Sequence, residues 1–167
     1  MTAPTTESVT KVKHLLRYIS GTRDHCQRLC PSVTMSDSDC TLDIDCFVGS
    51  DWARCRTNRK STSGTVVQLL NSTVSFGSRT QGTIALSSGE AELYAIGQGT
   101  SEALFVKNLI TEAKLAKSVN ITVHTDSTAG KSMATRFGTS KKTKHVELRF
   151  LYVQELVAKG ILRLRKV

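Results

Sequence analysis

Three acidic positions in this chain stand where a metal site could be assembled: Asp51 just after a strand-like stretch, Glu90 and Glu92 in the opening turns of a long helical stretch, and Asp126 at the end of a short apolar run. Strand ends of a mixed sheet and the first turns of a helix packed on it can converge. Clustered carboxylates then hold two Mg²⁺ or Mn²⁺ ions for in-line phosphoryl displacement, one activating water and the other stabilising the leaving oxygen. Taken singly, each acid has a plainer reading, because a carboxylate at a helix start complements the dipole and an Asp at a strand end caps a turn. Their combination carries the argument.

Charge gives the second chemical clue. The net charge of +9 is unevenly placed, with Arg54, Arg56, Arg59 and Lys60 in one cluster and Lys131, Arg136, Lys141, Lys142, Lys144, His145 and Arg149 in another. Each phosphate neutralised by Lys or Arg releases condensed counterions, so two such patches suit a nucleic acid; the bland alternative is a solvated surface. Five cysteines at irregular spacings, Cys26, Cys30, Cys40, Cys46 and Cys55, fit reduced thiols in a reducing compartment better than a disulfide framework. A zinc site from His25, Cys26 and Cys30 lacks a second ligand pair at a regular distance. No stretch reaches the roughly 18 to 20 consecutive apolar residues a membrane helix needs, so a soluble intracellular protein without a membrane partner is expected.

The elements that must position the acids follow from periodicity. Val9, Val12, Leu15, Leu16 and Ile19 recur at three- and four-residue intervals before Gly21, which predicts an amphipathic leading helix, followed by an irregular stretch to Asp39. Leu42, Ile44, Cys46 and Val48 alternate as in a half-buried strand, and Thr65 to Leu70 and Thr73 to Ser78 read as two more strands joined at Asn71-Ser72. Ser87-Ser88-Gly89-Glu90 reads as a helix start, with a Ser cap and Glu in the first turn, and the helix reaches Ala113; Ile121 to Thr125 is a fourth strand, and a short helix runs from Ser127 or Thr128 through Met133. Lys141 to Lys159 is helical up to Gly160, and Ile161 to Leu164 starts a fifth strand. The expectation is an α/β fold with a mixed five-stranded sheet, three antiparallel strands first and parallel additions after, flanked by helices, with residues 1–39 as a leading segment and 40–167 as the domain.

The stretches Ser50-Asp51-Trp52-Ala53, Arg59-Lys60-Ser61-Thr62-Ser63-Gly64, Ala85-Leu86-Ser87-Ser88-Gly89-Glu90-Ala91-Glu92-Leu93-Tyr94, His124-Thr125-Asp126-Ser127 and Thr143-Lys144-His145-Val146-Glu147-Leu148-Arg149 together resemble, in order and spacing, the successive blocks of the RNase H domain of copia-type retrotransposon Pol polyproteins. The opening, Ala3-Pro4-Thr5 with Leu15 to Thr22, is similar to the connection between reverse transcriptase and RNase H in those polyproteins. The resemblance implies an RNase H-like fold, hydrolysis of the RNA strand of RNA/DNA hybrids during reverse transcription, and a Mg²⁺ or Mn²⁺ cofactor. It also implies a reverse transcriptase domain in the parent polyprotein as partner, and action in a cytoplasmic particle and the nucleus. It selects Glu92 over Glu90 and makes Asp126 the second ligand. Arg59, Lys60, Lys141, Lys142, Lys144, His145 and Arg149 become the nucleic-acid contacts, with a structural role for His145 left open.

Two departures bear on activity. The family's first-strand acid falls on Gly49, two residues before Asp51, and Arg54 stands where the family has Gly. Asp51 is the nearest substitute, since residues two apart on a strand face the same side. The family's last acid lies in a helix beyond the fifth strand, after the point where this sequence stops at Val167. Impaired hydrolysis is therefore expected, with a non-catalytic nucleic-acid-binding or scaffold domain, or a remnant without a task, as the alternatives. Without a terminal helix, an apolar sheet face would be left open and favour self-association.

Overall fold

A computed structural model describes residues 4–26, 29, 40–135 and 149–167, the side chains of Arg149 and Phe150 excepted. The leading helix, α1 (Thr6–Gly21), starts where Thr5 accepts a hydrogen bond from the Ser8 amide and stops near Gly21, and it buries none of its residues. The apolar stripe of Val9, Val12, Leu15, Leu16 and Ile19 is about half exposed along its whole length. This helix forms on its local pattern and cap alone, without a packing partner among the described residues.

The sheet is built from β1 (Thr41–Asp51), β2 (Thr62–Leu69), β3 (Ser72–Thr80), β4 (Ser118–Thr125) and β5 (Leu162–Lys166), in the spatial order β3-β2-β1-β4-β5. β1 pairs antiparallel with β2 and parallel with β4, β2 antiparallel with β3, and β4 parallel with β5, which is the expected mixed topology. Two details differ from the sequence reading. β1 continues through Asp51, so that residue sits inside the strand rather than after it. The β2–β3 hairpin turns on Leu70 and Asn71, both at positive φ (51° and 62°), rather than on Asn71-Ser72. Two residues with positive φ make the turn whose twist matches antiparallel strands, and the β2–β3 pairing of Leu69 with Ser72 leaves Leu70 as the first of them despite its poor fit to that region.

Alternation along β1 sends Leu42, Ile44, Cys46 and Val48 to one face, where they meet α2 (Ser88–Glu112), while α3 (Thr128–Thr135) packs on β4 and β5 and α4 (Arg149–Ala158) on β5. The same face receives Val119, Ile121 and Val123 of β4 and Leu162 of β5, so one continuous core lies between the sheet and the three helices. α2 approaches β1 so closely at Gly99 that a Cβ there would stand 2.2 Å from Val48 Cγ1 and 3.0 Å from Cys46 Sγ, which leaves room for glycine alone. The predicted helix over Lys141 to Lys159 is seen from Arg149; residues 141–148 lie outside the described residues.

No helix among the described residues packs on the opposite face of the sheet. Pairing aligns Phe76, Val66, Phe47, His124 and Arg165 in one row across it. Phe47 and His124 stack with centroids 4.6 Å apart, and His124 Nε2 lies 2.6 Å from Asp45 Oδ1. That open face is mixed rather than apolar, because Asp43, Asp45, Asn120, Thr122, Arg163 and Arg165 occupy the same side of their strands as the few apolar residues. The strong drive to self-association expected from sequence therefore has a weak physical basis on this face.

Candidate active site

At the C-terminal ends of the parallel strands β1 and β4 stand Ser50 and Asp126, and the first turns of α2 lie beside them. Ser87 caps that helix by accepting from the Glu90 amide at 3.2 Å. Glu90 completes the cap: one of its carboxylate oxygens accepts from the Leu86 amide and the other from the Tyr94 hydroxyl, both at 2.9 Å, and the side chain is buried. Glu90 is thereby a structural acid.

Glu92, two residues on, faces the strand ends. Its Oε1 accepts from both the Ser50 amide (3.1 Å) and the Ser50 hydroxyl (2.9 Å), while Oε2 is buried and without a hydrogen-bond partner. Burial pushes this carboxyl above its ordinary range and the negative charge of Asp126 adds to the rise, against the two hydrogen bonds from Ser50 that oppose it. Asp126 itself is exposed, in the turn between β4 and α3. That turn is fixed by the Ser127 amide donating to Thr125 Oγ1 (3.2 Å) and the Gly130 amide donating to Ser127 Oγ (3.0 Å). α3 then lies directly against Glu92, since a Cβ on Gly130 would come within 2.9 Å of Glu92 Cβ. Close packing of two helix starts therefore brings the two predicted carboxylates together.

Asp51 is not part of this pair. Its Oδ1 accepts from the Thr62 amide, where it ties the end of β1 to β2. Gly49 shares its side of the strand, with open space around the position a Cβ would take. Among the described residues no group of three or more His, Cys, Asp and Glu side chains is disposed to hold a metal ion. Two carboxylates fit one Mg²⁺ that keeps several waters, since this ion is commonly held through one or two carboxylates and substrate phosphate oxygens; they do not fit an ion pair. Of the alternative zinc ligands, His25 and Cys26 are exposed and Cys30 lies outside the described residues.

The basic loop after β1 stands at this same end of the sheet. Ala53 and Arg59 take positive φ (52° and 57°), the Arg59 amide donates to Cys55 O (2.8 Å), and the Ala53 amide donates to Ser61 Oγ (3.0 Å). Trp52 anchors it from the other side by donating to Ala85 O at 3.2 Å. Arg54, Arg56 and Arg59 are exposed and Lys60 is half-buried. Of the second predicted patch, Lys141, Lys142, Lys144 and His145 lie outside the described residues, and Arg149 opens α4. Sequence reasoning missed Ser50 as the residue that orients Glu92, and no spacing signal could have found it, because the contact joins positions 42 residues apart.

No family model matches the chain. Over 163 residues, 98% of its length, it is 26% identical to the retrovirus-related Pol polyprotein from transposon RE2 of Arabidopsis thaliana. Over 156 residues, 93% of its length, it is 29% identical to the corresponding polyprotein from transposon TNT 1-94 of Nicotiana tabacum. The chain spans 11% of the length of each of these relatives. Among solved structures it is similar to LC11-RNase H1, isolated from compost by a metagenomic approach, with a TM-score of 0.55 and 13% identity over 75% of this chain and 84% of that one. It is also similar to an N-terminal RNase H domain from Mycobacterium tuberculosis, with a TM-score of 0.53 and 14% identity over 75% and 82%. At these identities the structural likeness is one of fold.

Proposed function

On the premise that this chain is an RNase H-like domain whose homologues are copia-type retrotransposon Pol polyproteins, we propose that it binds RNA/DNA hybrids and that its metal-dependent hydrolysis of the RNA strand is impaired. The observation that carries this reading is the pair of carboxylates, Glu92 oriented by Ser50 with one oxygen left over and Asp126 beside it, where the family's third acid falls on Gly49.

Ser50 fixes one oxygen of Glu92 and leaves the other, Oε2, without a hydrogen bond. Glu92 and Asp126 hold one divalent cation, which when bound polarises a phosphoryl oxygen as a Lewis acid. Asp51, engaged with Thr62, serves the hairpin and leaves the donor set one acid short. Arg54, Arg56, Arg59 and Lys60 neutralise backbone phosphates next to the site, which suits a substrate recognised by shape and 2′-hydroxyls rather than by base edges. The exposed apolar stripe of α1 supports a contact with a reverse transcriptase domain of a parent polyprotein, inside the particle where reverse transcription proceeds.

The test is cleavage and binding of a labelled RNA/DNA hybrid, in Mg²⁺ and in Mn²⁺, by this chain and by its Gly49→Asp and Asp126→Asn variants. Expected are turnover well below about 1 per second, a gain of at least about tenfold in Gly49→Asp, and loss of about 100-fold or more in Asp126→Asn. Turnover of about 1 per second or faster in the unaltered chain would refute the impairment. Hybrid binding without cleavage in any variant would favour the second reading, a binding or scaffold domain, which the absence of a three-acid group among the described residues supports. Loss of hybrid binding altogether would remove both.

A further inference from the structure

The sheet face turned away from the helices carries two features that packing does not explain. Gly49, Gly64 and Ser78 stand opposite one another on β1, β2 and β3, so three neighbouring strands present almost no side chain along one row. A Cβ at Gly49 would meet nothing within 4 Å, and one at Gly64 only the Gly49 carbonyl oxygen at 3.9 Å. Neither glycine takes a positive φ, so neither backbone geometry nor packing demands it there. Glycine weakens a strand interior and often marks a place where a ligand comes close to the backbone. The adjoining row holds rings: Phe76, Val66, Phe47, His124 and Arg165 cross the whole sheet in register. Phe76 is 75% exposed and Phe47 37%, and the stack on His124 steadies the Phe47 ring from one side.

Charge narrows the occupant. Arg165 and Arg163, two residues apart on this face of β5, are exposed and have no ion-pair partner among the described residues. The acids of the face are engaged, Asp45 with His124 Nε2 and Asp43 with Asn120 Nδ2, and they lie toward the start of β1, away from the glycine row. Free cations, exposed rings and a flat floor suit an unpaired nucleic-acid strand, because every base has a π-face for a phenyl ring and a guanidinium pairs with phosphate. A protein helix would need a continuous apolar strip, which Asp43, Asp45, Asn120 and Thr122 interrupt. Five strands about 4.8 Å apart make the row about 19 Å long, enough for the two or three bases that an aromatic-bearing sheet face stacks. We infer that this face binds a single-stranded nucleic acid, its bases on Phe76 and Phe47 over the Gly49 and Gly64 floor and its backbone running to Arg165 and Arg163. The inference goes beyond the proposed function, since it concerns an unpaired strand and not the hybrid at Glu92 and Asp126.

The test is fluorescence anisotropy of labelled single-stranded RNA and DNA oligonucleotides, and of a blunt RNA/DNA hybrid, with the unaltered chain and its Phe76→Ser and Gly64→Val variants. Expected is binding of both single strands, weakened at least about fivefold by either substitution, with hybrid affinity unchanged. Gly64→Val fills the floor at no cost to the fold, because its side chain enters open space and a β-branched residue suits a strand, so its melting temperature should not fall. Phe76→Ser changes an exposed position, and circular dichroism checks that both variants stay folded. Absent single-strand binding, or binding that survives both substitutions, would overturn the inference. Equal loss of hybrid affinity in the two variants would overturn it as well, by merging the face with the hybrid site. Self-association in sedimentation that Phe76→Ser abolishes, without single-strand binding, would give the face to a second copy instead. Single-strand binding without hybrid binding would remove the proposed function and leave this inference standing.

Discussion

Glu92 illustrates how one side chain carries two opposed demands. Burial lifts its carboxyl above the ordinary value of 4.5, so the folded chain holds that proton more tightly than the unfolded chain does. The stability this gives is complete below the usual carboxylate range and is lost as pH rises through the raised value. Glu92→Gln keeps an oxygen for Ser50 and cannot ionise, so its melting temperature should gain on that of the unaltered chain as pH rises from the usual carboxylate range through that raised value, while hybrid cleavage is lost. A difference in melting temperature that stays flat across that range would show that Glu92 is not desolvated. Two thiols provide a second contrast. Burial pushes Cys46 up to about 12, with the Glu102 charge adding to the rise, whereas the backbone amides of Asn58 and Thr57 lower Cys55. Iodoacetamide at mildly alkaline pH should therefore label Cys55 well before Cys46, as peptide mapping would read.

At the scale of the element, α1 and α2 are opposites. α2 is wedged against β1 with no space for a side chain at Gly99, so Gly99→Ala should lower unfolding stability by about 1–3 kcal/mol through overpacking. Leu15→Ser on α1 alters a side chain that is more than half exposed on a helix with no packing partner among the described residues and should change stability by less than about 0.5 kcal/mol. Denaturant melts of the two variants check both, and a large loss from Leu15→Ser would mean that α1 packs on the domain. The contrast follows from position: the amphipathic period of α1 promises a buried face, but a period states only that a face exists, not that something covers it.

For the whole molecule the charge of +9 becomes useful through its placement, with the loop from Arg54 to Lys60 standing beside the acidic pair. Hybrid affinity should fall by about 100-fold between about 50 and 200 mM salt, the figure for some four phosphate contacts. Replacing Arg59 and Lys60 by Ser should flatten that dependence by about one to two contacts. Salt-insensitive binding, measured by fluorescence anisotropy, would place the nucleic acid elsewhere.

The element order, the alternation of Leu42, Ile44, Cys46 and Val48, and a Ser cap at the start of α2 were legible in the sequence. Each depends on residues within a few positions of one another, or on a block pattern that spacing preserves. The tertiary structure alone decided that Ser50 holds Glu92, that Asp51 serves Thr62 instead, that Gly130 brings α3 against the site, and that residues as distant as Ser63, Gln81, Gln98 and Val153 wall one cavity. Local pattern sets which face of an element is apolar; which atoms then meet across 40 or more residues depends on strand register and on how closely the backbones approach.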